Sequence, residues 1–210
     1  MFEDLDPELL EEYFLERFPD ELLIEEAYHL LLLVLGEKPG ALLMSVEANS
    51  EVVGDFCSDF DLEMKTVGEE NRSFWDKIFR RKTFSSASIF VAEDEERFDM
   101  LERSDVAEDW FSDKSIGKFL GYPREAVKYY ENEDIPGKAF RNQADLNEFG
   151  DEDLEYLSFV EYVPPPDKEE ISNAVETGKN REELLLSMDR DLDTTIGSEY
   201  LSEIKDDSKL

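Results

Sequence analysis

Hydrophobic residues recur at helical spacing from the start of the chain. Leu9, Leu10, Tyr13, Phe14 and Phe18 lie three and four apart, which predicts a helix with one apolar face. Asp6 caps the free amides of its first turn and Pro7 suits that turn. Pro19 and Asp20 reset the cap, and a second helix is expected through Ile24, Ala27, Leu30, Leu31 and Val34 to a stop at Gly36.

The pattern then shortens. Residues 41–46 and 62–67 read as strands, with 51–60 ambiguous between them. Ser88-Ile89-Phe90-Val91-Ala92 is a continuous apolar run of strand length, so a short buried strand is expected, running directly into an acidic helix over 94–102. Two short helices, 114–120 and 124–130, follow, hinged at Gly121-Tyr122-Pro123. Residues 156–163 alternate well enough for another strand, and Pro164-Pro165-Pro166 forces an extended connection. Beyond it, Asp167 with Glu170 and Asn180 with Glu183 make two capping boxes, predicting two short helices before a last turn over 199–204. The result is one mixed domain, α/β or α+β, with a helical N-terminus. Residues 1–163 form its core and residues 164–210 a Pro-initiated helical appendage.

Charge changes this picture more than composition does. The chain has 55 acidic and 22 basic residues, a formal net charge of −33. Such like charge weakens a compact state in ordinary buffer, and molar salt shortens the screening length to about 3 Å. Adaptation to a salt-rich cytoplasm, as in halophilic archaea, accounts for it. An acidic disordered tail does not, because 15 Phe, 8 Tyr and 2 Trp are present and the acids are spread along the chain. A nucleic-acid mimic or a partner of a basic protein is the remaining alternative. Met1-Phe2-Glu3-Asp4 has no signal-peptide character, and the greasy run over 30–35 is far short of the roughly 20 residues of a membrane span.

The acidity is uneven. Residues 1–70 carry 3 basic and 20 acidic groups, and residues 142–210 carry 6 and 20. Residues 71–90 carry 5 and 1, and residues 113–141 carry 6 and 5. Two stretches have therefore escaped the prevailing sign, through burial and internal pairing or through a demand for an anionic ligand. In the first, Arg72, Lys77, Arg80, Arg81 and Lys82 interleave with Phe74, Trp75, Phe79 and Phe84. That combination suits phosphates and stacked bases, and equally an amphipathic helix with Phe74, Trp75, Ile78 and Phe79 packed inward. In the second, Ile116 and Leu120 precede Gly121 and Tyr122, with Val127 and Tyr130 following at helical spacing. This resembles the register of a helix-turn-helix, in which Arg124, Glu125, Lys128 and Tyr129 would face outward. Any αα-hairpin joined by glycine looks similar. Phosphate contacts weaken steeply with salt, so a DNA reader here would need base contacts or bridging cations.

Catalytic chemistry has little support. His29 and Cys57 are the sole representatives of their types, so no Ser-His-Asp or Cys-His set stands out, and neither a disulfide framework nor a cysteine-rich zinc site is available. Walker and dinucleotide fingerprints are missing. Asp189, Asp191 and Asp193 start like a calcium loop, but Thr194 replaces the required glycine and Tyr200 the bidentate glutamate. No cofactor, metal or catalytic residue is assigned.

Ile89-Phe90-Val91-Ala92-Glu93-Asp94-Glu95-Glu96, then Ile116-Gly117-Lys118-Phe119-Leu120-Gly121-Tyr122-Pro123, resemble the archaeal domain of unknown function family 483. Tyr162-Val163-Pro164-Pro165-Pro166-Asp167 and the following Ala174 and Gly178 are similar to it too. The resemblance spans roughly residues 85–205 and implies an archaeal source and no reaction. The expected role is therefore binding or interaction, with a DNA-binding regulator using residues 114–130 as the alternative. The candidate anion- or partner-binding residues are Arg72, Lys77, Arg80, Arg81, Lys82, Lys118, Tyr122, Arg124 and Lys128. An acidic protein, a phosphate-bearing ligand or a nucleic acid is the expected partner, with no membrane involved.

Overall fold

The computed structural model describes residues 2, 5–44, 50–67, 88–102, 111–132 and 136–207. The chain divides into two compact units, Glu12–Gly121 and Met1–Glu11 with Tyr122–Leu210. Helices occur in both units. The sheet is antiparallel throughout, which makes the fold α+β.

In the first unit three strands, β1 (Gly40–Leu43), β2 (Glu63–Val67) and β3 (Ser88–Ala92), pair in the order β1-β3-β2. Every residue of β3 is buried, as its unbroken apolar run requires for a central strand covered on both faces. Phe90 meets the rings of Phe111 and Phe119 edge-on, each at 5.4 Å between centroids. The ambiguous segment before β2 is a helix, Ser50–Asp59. Its Phe56 enters an aromatic cluster with Tyr13, Phe14 and Phe18. Helix Ile24–Val34 packs on β1 and ends at Gly36, whose φ of 71° allows the amides of Gly36 and Glu37 to close on the carbonyls of Leu33 and Leu32. Buried Glu26 ties this helix to the sheet: its carboxylate accepts the Leu23 amide at 3.3 Å and the Met44 amide at 2.6 Å.

Two expectations for this unit change in detail. Residues 12–17 form π-helical turns ahead of Phe18–Glu21, where Pro19 cannot supply an amide hydrogen. The expected acidic helix after β3 is a 3₁₀ segment, Glu95–Met100, capped by Asp94.

The second unit is helical. Helix Lys168–Leu192 starts at the Asp167 cap, whose carboxylate accepts the Glu170 amide at 3.0 Å. It packs against the 3₁₀ segment Tyr156–Phe159 and helix Ile196–Asp207. The sequence predicts two short helices here, and the structure has one of 25 residues. Gly178 does not end it, because that glycine serves packing: a Cβ there would collide with the Tyr156 carbonyl. Asn180 is accordingly a helix-interior residue rather than a second cap.

The strand expected over 156–163 is also corrected. A 3₁₀ turn covers Tyr156–Phe159, and irregular chain with no strand pairing among the described residues follows, extended at Val160 and bent at Glu161 and Tyr162. Side chains take the place of a ladder partner. Arg181 donates to the Phe159 carbonyl at 2.7 Å, Tyr122 donates to the Glu161 carbonyl at 3.0 Å, and the Val163 amide donates to Tyr130 Oη at 3.2 Å. With these polar groups satisfied, Phe159, Val160 and Tyr162 are buried without a sheet.

Candidate functional site

The first basic stretch, Arg72 to Phe84, with Arg72, Lys77, Arg80, Arg81 and Lys82, lies outside the described residues. The second is described at Lys118, Tyr122, Arg124 and Lys128, and these four do not behave alike. Helix Asp113–Phe119 is capped by Ser112, whose hydroxyl accepts the Ser115 amide at 3.2 Å. At its other end Arg97 donates to the carbonyls of Phe119 and Lys118, at 3.1 and 2.6 Å, where a cation favours the helix dipole. Lys118 itself is exposed.

Tyr122 is a packing residue. Its ring lies 5.7 Å from Tyr162 and joins the cluster of Ala126, Val160, Tyr162 and Ala174. Burial is the main cause of its raised pKa, which keeps it a neutral hydrogen-bond donor. Lys128 pairs with Glu125 at 2.7 Å on the same helix, Arg124–Asn132. Arg124 is exposed.

The helix-turn-helix register is thus shared between two cores. Phe119 stacks with Phe90 and Phe98 in the sheet unit, whereas Ala126 belongs to the helical unit's cluster. The turn is a left-handed Gly121, φ 77°, and a Cβ there would meet Pro39 Cδ at 2.6 Å.

A contrast in ion pairing brings out residues that the motif search did not single out. Elsewhere in the helical unit, cations are paired: Lys168 with Glu148 at 2.5 Å, Lys179 with Asp153 at 2.6 Å, Arg181 with Glu161 at 3.1 Å and Lys205 with Glu182 at 2.6 Å. Arg190 is the exception among the described residues. Between 124 and 141 the proportions reverse. Lys128 is paired, while Arg124, Lys138 and Arg141 are exposed and form no ion pair among the described residues.

Lys138 and Arg141 stand on helix Pro136–Gln143, which buries none of its residues. Ala139 and Phe140 remain half-exposed. Residues 135–144 contain no acid in a chain with 55 of them. That acid-free run was the available sequence signal.

Other features offer less. A cleft of about 340 Å³ in the sheet unit is lined by Glu16, Asp20, Glu21, Glu51 and Asp55 around Arg17, which Asp55 holds at 2.7 Å. Acid lining is the rule on this surface and distinguishes nothing. Cys57 is buried, and burial pushes its thiol up to about 12, far from a nucleophilic thiolate. His29 is half-buried on helix Ile24–Val34. Among the described residues no group of three or more His, Cys, Asp or Glu is placed to hold a metal ion. Asp189 is fully engaged: it accepts from Thr194 Oγ1 at 3.0 Å and from the amides of Gly197 and Ser198 at 2.8 Å each. It caps the last helix. No described helix is long and apolar enough to cross a membrane.

No family model, curated protein or solved structure is similar to this chain at significance.

Proposed function

We propose that this chain is a non-catalytic interaction protein, working in the salt-rich cytoplasm of a halophilic archaeon, that docks an acidic protein surface. Arg124, Lys138 and Arg141 are the contact residues. The observation that carries this reading is the local reversal of ion pairing. Cations are scarce here, and elsewhere in the helical unit all but Arg190 are committed to carboxylates, yet these three are exposed and form no ion pair among the described residues. Exposed ion pairs contribute only about 0–1 kcal/mol each, so leaving three cations open costs the fold little. With screening cut to about 3 Å in molar salt, open cations on a negative surface act on an acidic partner at contact distance, setting its orientation and not its long-range encounter.

DNA reading by residues 114–130 fits less well. Tyr122 and Lys128 are already engaged, and Phe119 of the first helix and Ala126 of the second pack in different units.

Fluorescence titration in molar KCl with a labelled polyglutamate peptide and with duplex DNA tests the reading. Peptide binding that weakens at least tenfold on combining Arg124→Ala, Lys138→Ala and Arg141→Ala is expected. Peptide affinity unchanged by the triple substitution, or binding of DNA alone, overturns it. Circular dichroism across the salt range shows whether the chain loosens at low salt, as −33 charges require.

A further inference from the structure

Helix Pro136–Gln143 poses a problem of its own stability. Eight residues are too few for an isolated helix in water, because nucleation is unfavourable and helices shorter than about 12–15 residues are marginal. Short helices persist by burying a face, and this one fully buries no residue: Pro136, Gly137, Ala139 and Phe140 are partly covered, and Tyr129 Oη donates to the Pro136 carbonyl at 3.2 Å. Lys138 and Arg141 are three apart, so they share one face, and half-exposed Phe140 lies between them in sequence.

A cover for this face must supply carboxylates, since Phe140, one and two positions from the cations, points off it. A phosphate ligand suits it poorly. Pro136 opens the helix and has no amide hydrogen to offer an anion, and Glu133 and Asp134 immediately precede it in sequence. The surface of the chain itself has the complementary character, with a net charge of −33 and acids spread along its length.

We infer that helix Pro136–Gln143 docks on the acidic surface of a second copy of this chain, with Lys138 and Arg141 meeting its carboxylates. This rests on the docking reading and goes further by naming the occupant. Its salt dependence has a distinctive sign. Two copies of charge −33 repel each other over about 30 Å at 0.01 M salt and over only about 3 Å at 1 M. Contacts at hydrogen-bonding distance with partial desolvation lose less to screening. Self-association therefore rises with salt, whereas phosphate binding falls.

Sedimentation equilibrium of the full chain in KCl between about 1 M and 3 M, the range in which screening lengths are about 3 Å or less, tests this. The average mass is expected to climb from one chain toward two with protein concentration, and further with salt. Lys138→Glu with Arg141→Glu should weaken the dimer at least tenfold while thermal unfolding of the monomer stays unchanged. A chain that stays monomeric wherever circular dichroism shows it folded overturns the inference, as does a dimer indifferent to the double reversal. Polyglutamate titration of the same samples separates the two levels. Peptide binding by a persistent monomer sinks the second copy and leaves the docking surface standing, whereas loss of both removes both.

Discussion

Helices Lys168–Leu192 and Pro136–Gln143 belong to the same unit and treat their charges in opposite ways. The long helix directs Lys179 and Arg181 to carboxylates and receives Lys205 on its own Glu182. It also buries Ile171, Ala174, Val175, Leu185 and Met188. The short helix fully buries none of its residues, and its two cations form no ion pair among the described residues. The first is built inward along one face, so substitutions at its buried positions act on stability. The second is only partly covered and is tied to its unit by Tyr129 Oη donating to the Pro136 carbonyl at 3.2 Å, so substitutions at exposed Lys138 and Arg141 are expected to change stability little.

The sharpest way to break this comparison is at Arg181. Its side chain and that of Glu161 are 7% and 5% exposed, so removing one partner strands the other's charge. Arg181→Met should lower stability by about 3–5 kcal/mol, read by thermal unfolding in molar KCl. A loss below about 1 kcal/mol would show that the pair behaves as a surface one. Asp189→Ala comes next. It leaves the amides of Gly197 and Ser198 without their acceptor and should cost about 2–3 kcal/mol. Hydrogen exchange should place that loss first in helix Ile196–Asp207. Gly178→Ala is the smallest and the most diagnostic in sign. Helix propensity alone favours alanine by about 1 kcal/mol. The collision with the Tyr156 carbonyl opposes it, and overpacking costs about 1–3 kcal/mol. A net loss is expected in the same melt, and a gain would mean that the two segments are less closely packed than the structure has them.

How much of this was legible in the sequence depends on how far each signal reaches. The Ser88–Ala92 strand was plain because its burial is written in its own five residues. The Asp167 cap and the Gly36 stop are local in the same way. Residues 156–163 misled because alternation specifies which side chains are buried, not what the backbone bonds to. Their partners are Tyr122, Tyr130 and Arg181, more than 19 residues away in either direction. Asn180 with Glu183 looked like a second helix start because a capping box has the same sequence inside a helix as at its end. At the candidate site, charge counting pointed to residues 113–141 as a block. Distinguishing engaged cations from open ones needed Glu125 beside Lys128, which only the folded helix shows.

The side-chain bonds to residues 159–163 also bear on the order of assembly. Helix Lys168–Leu192 forms from neighbours three and four apart and needs little chain entropy to start. The bonds from Tyr122 and Tyr130 to this segment close loops of 39 and 33 residues, and that from Arg181 one of 22. Loop closure of this kind must be met before such contacts reward it. The segment is therefore expected to settle after the helices around it.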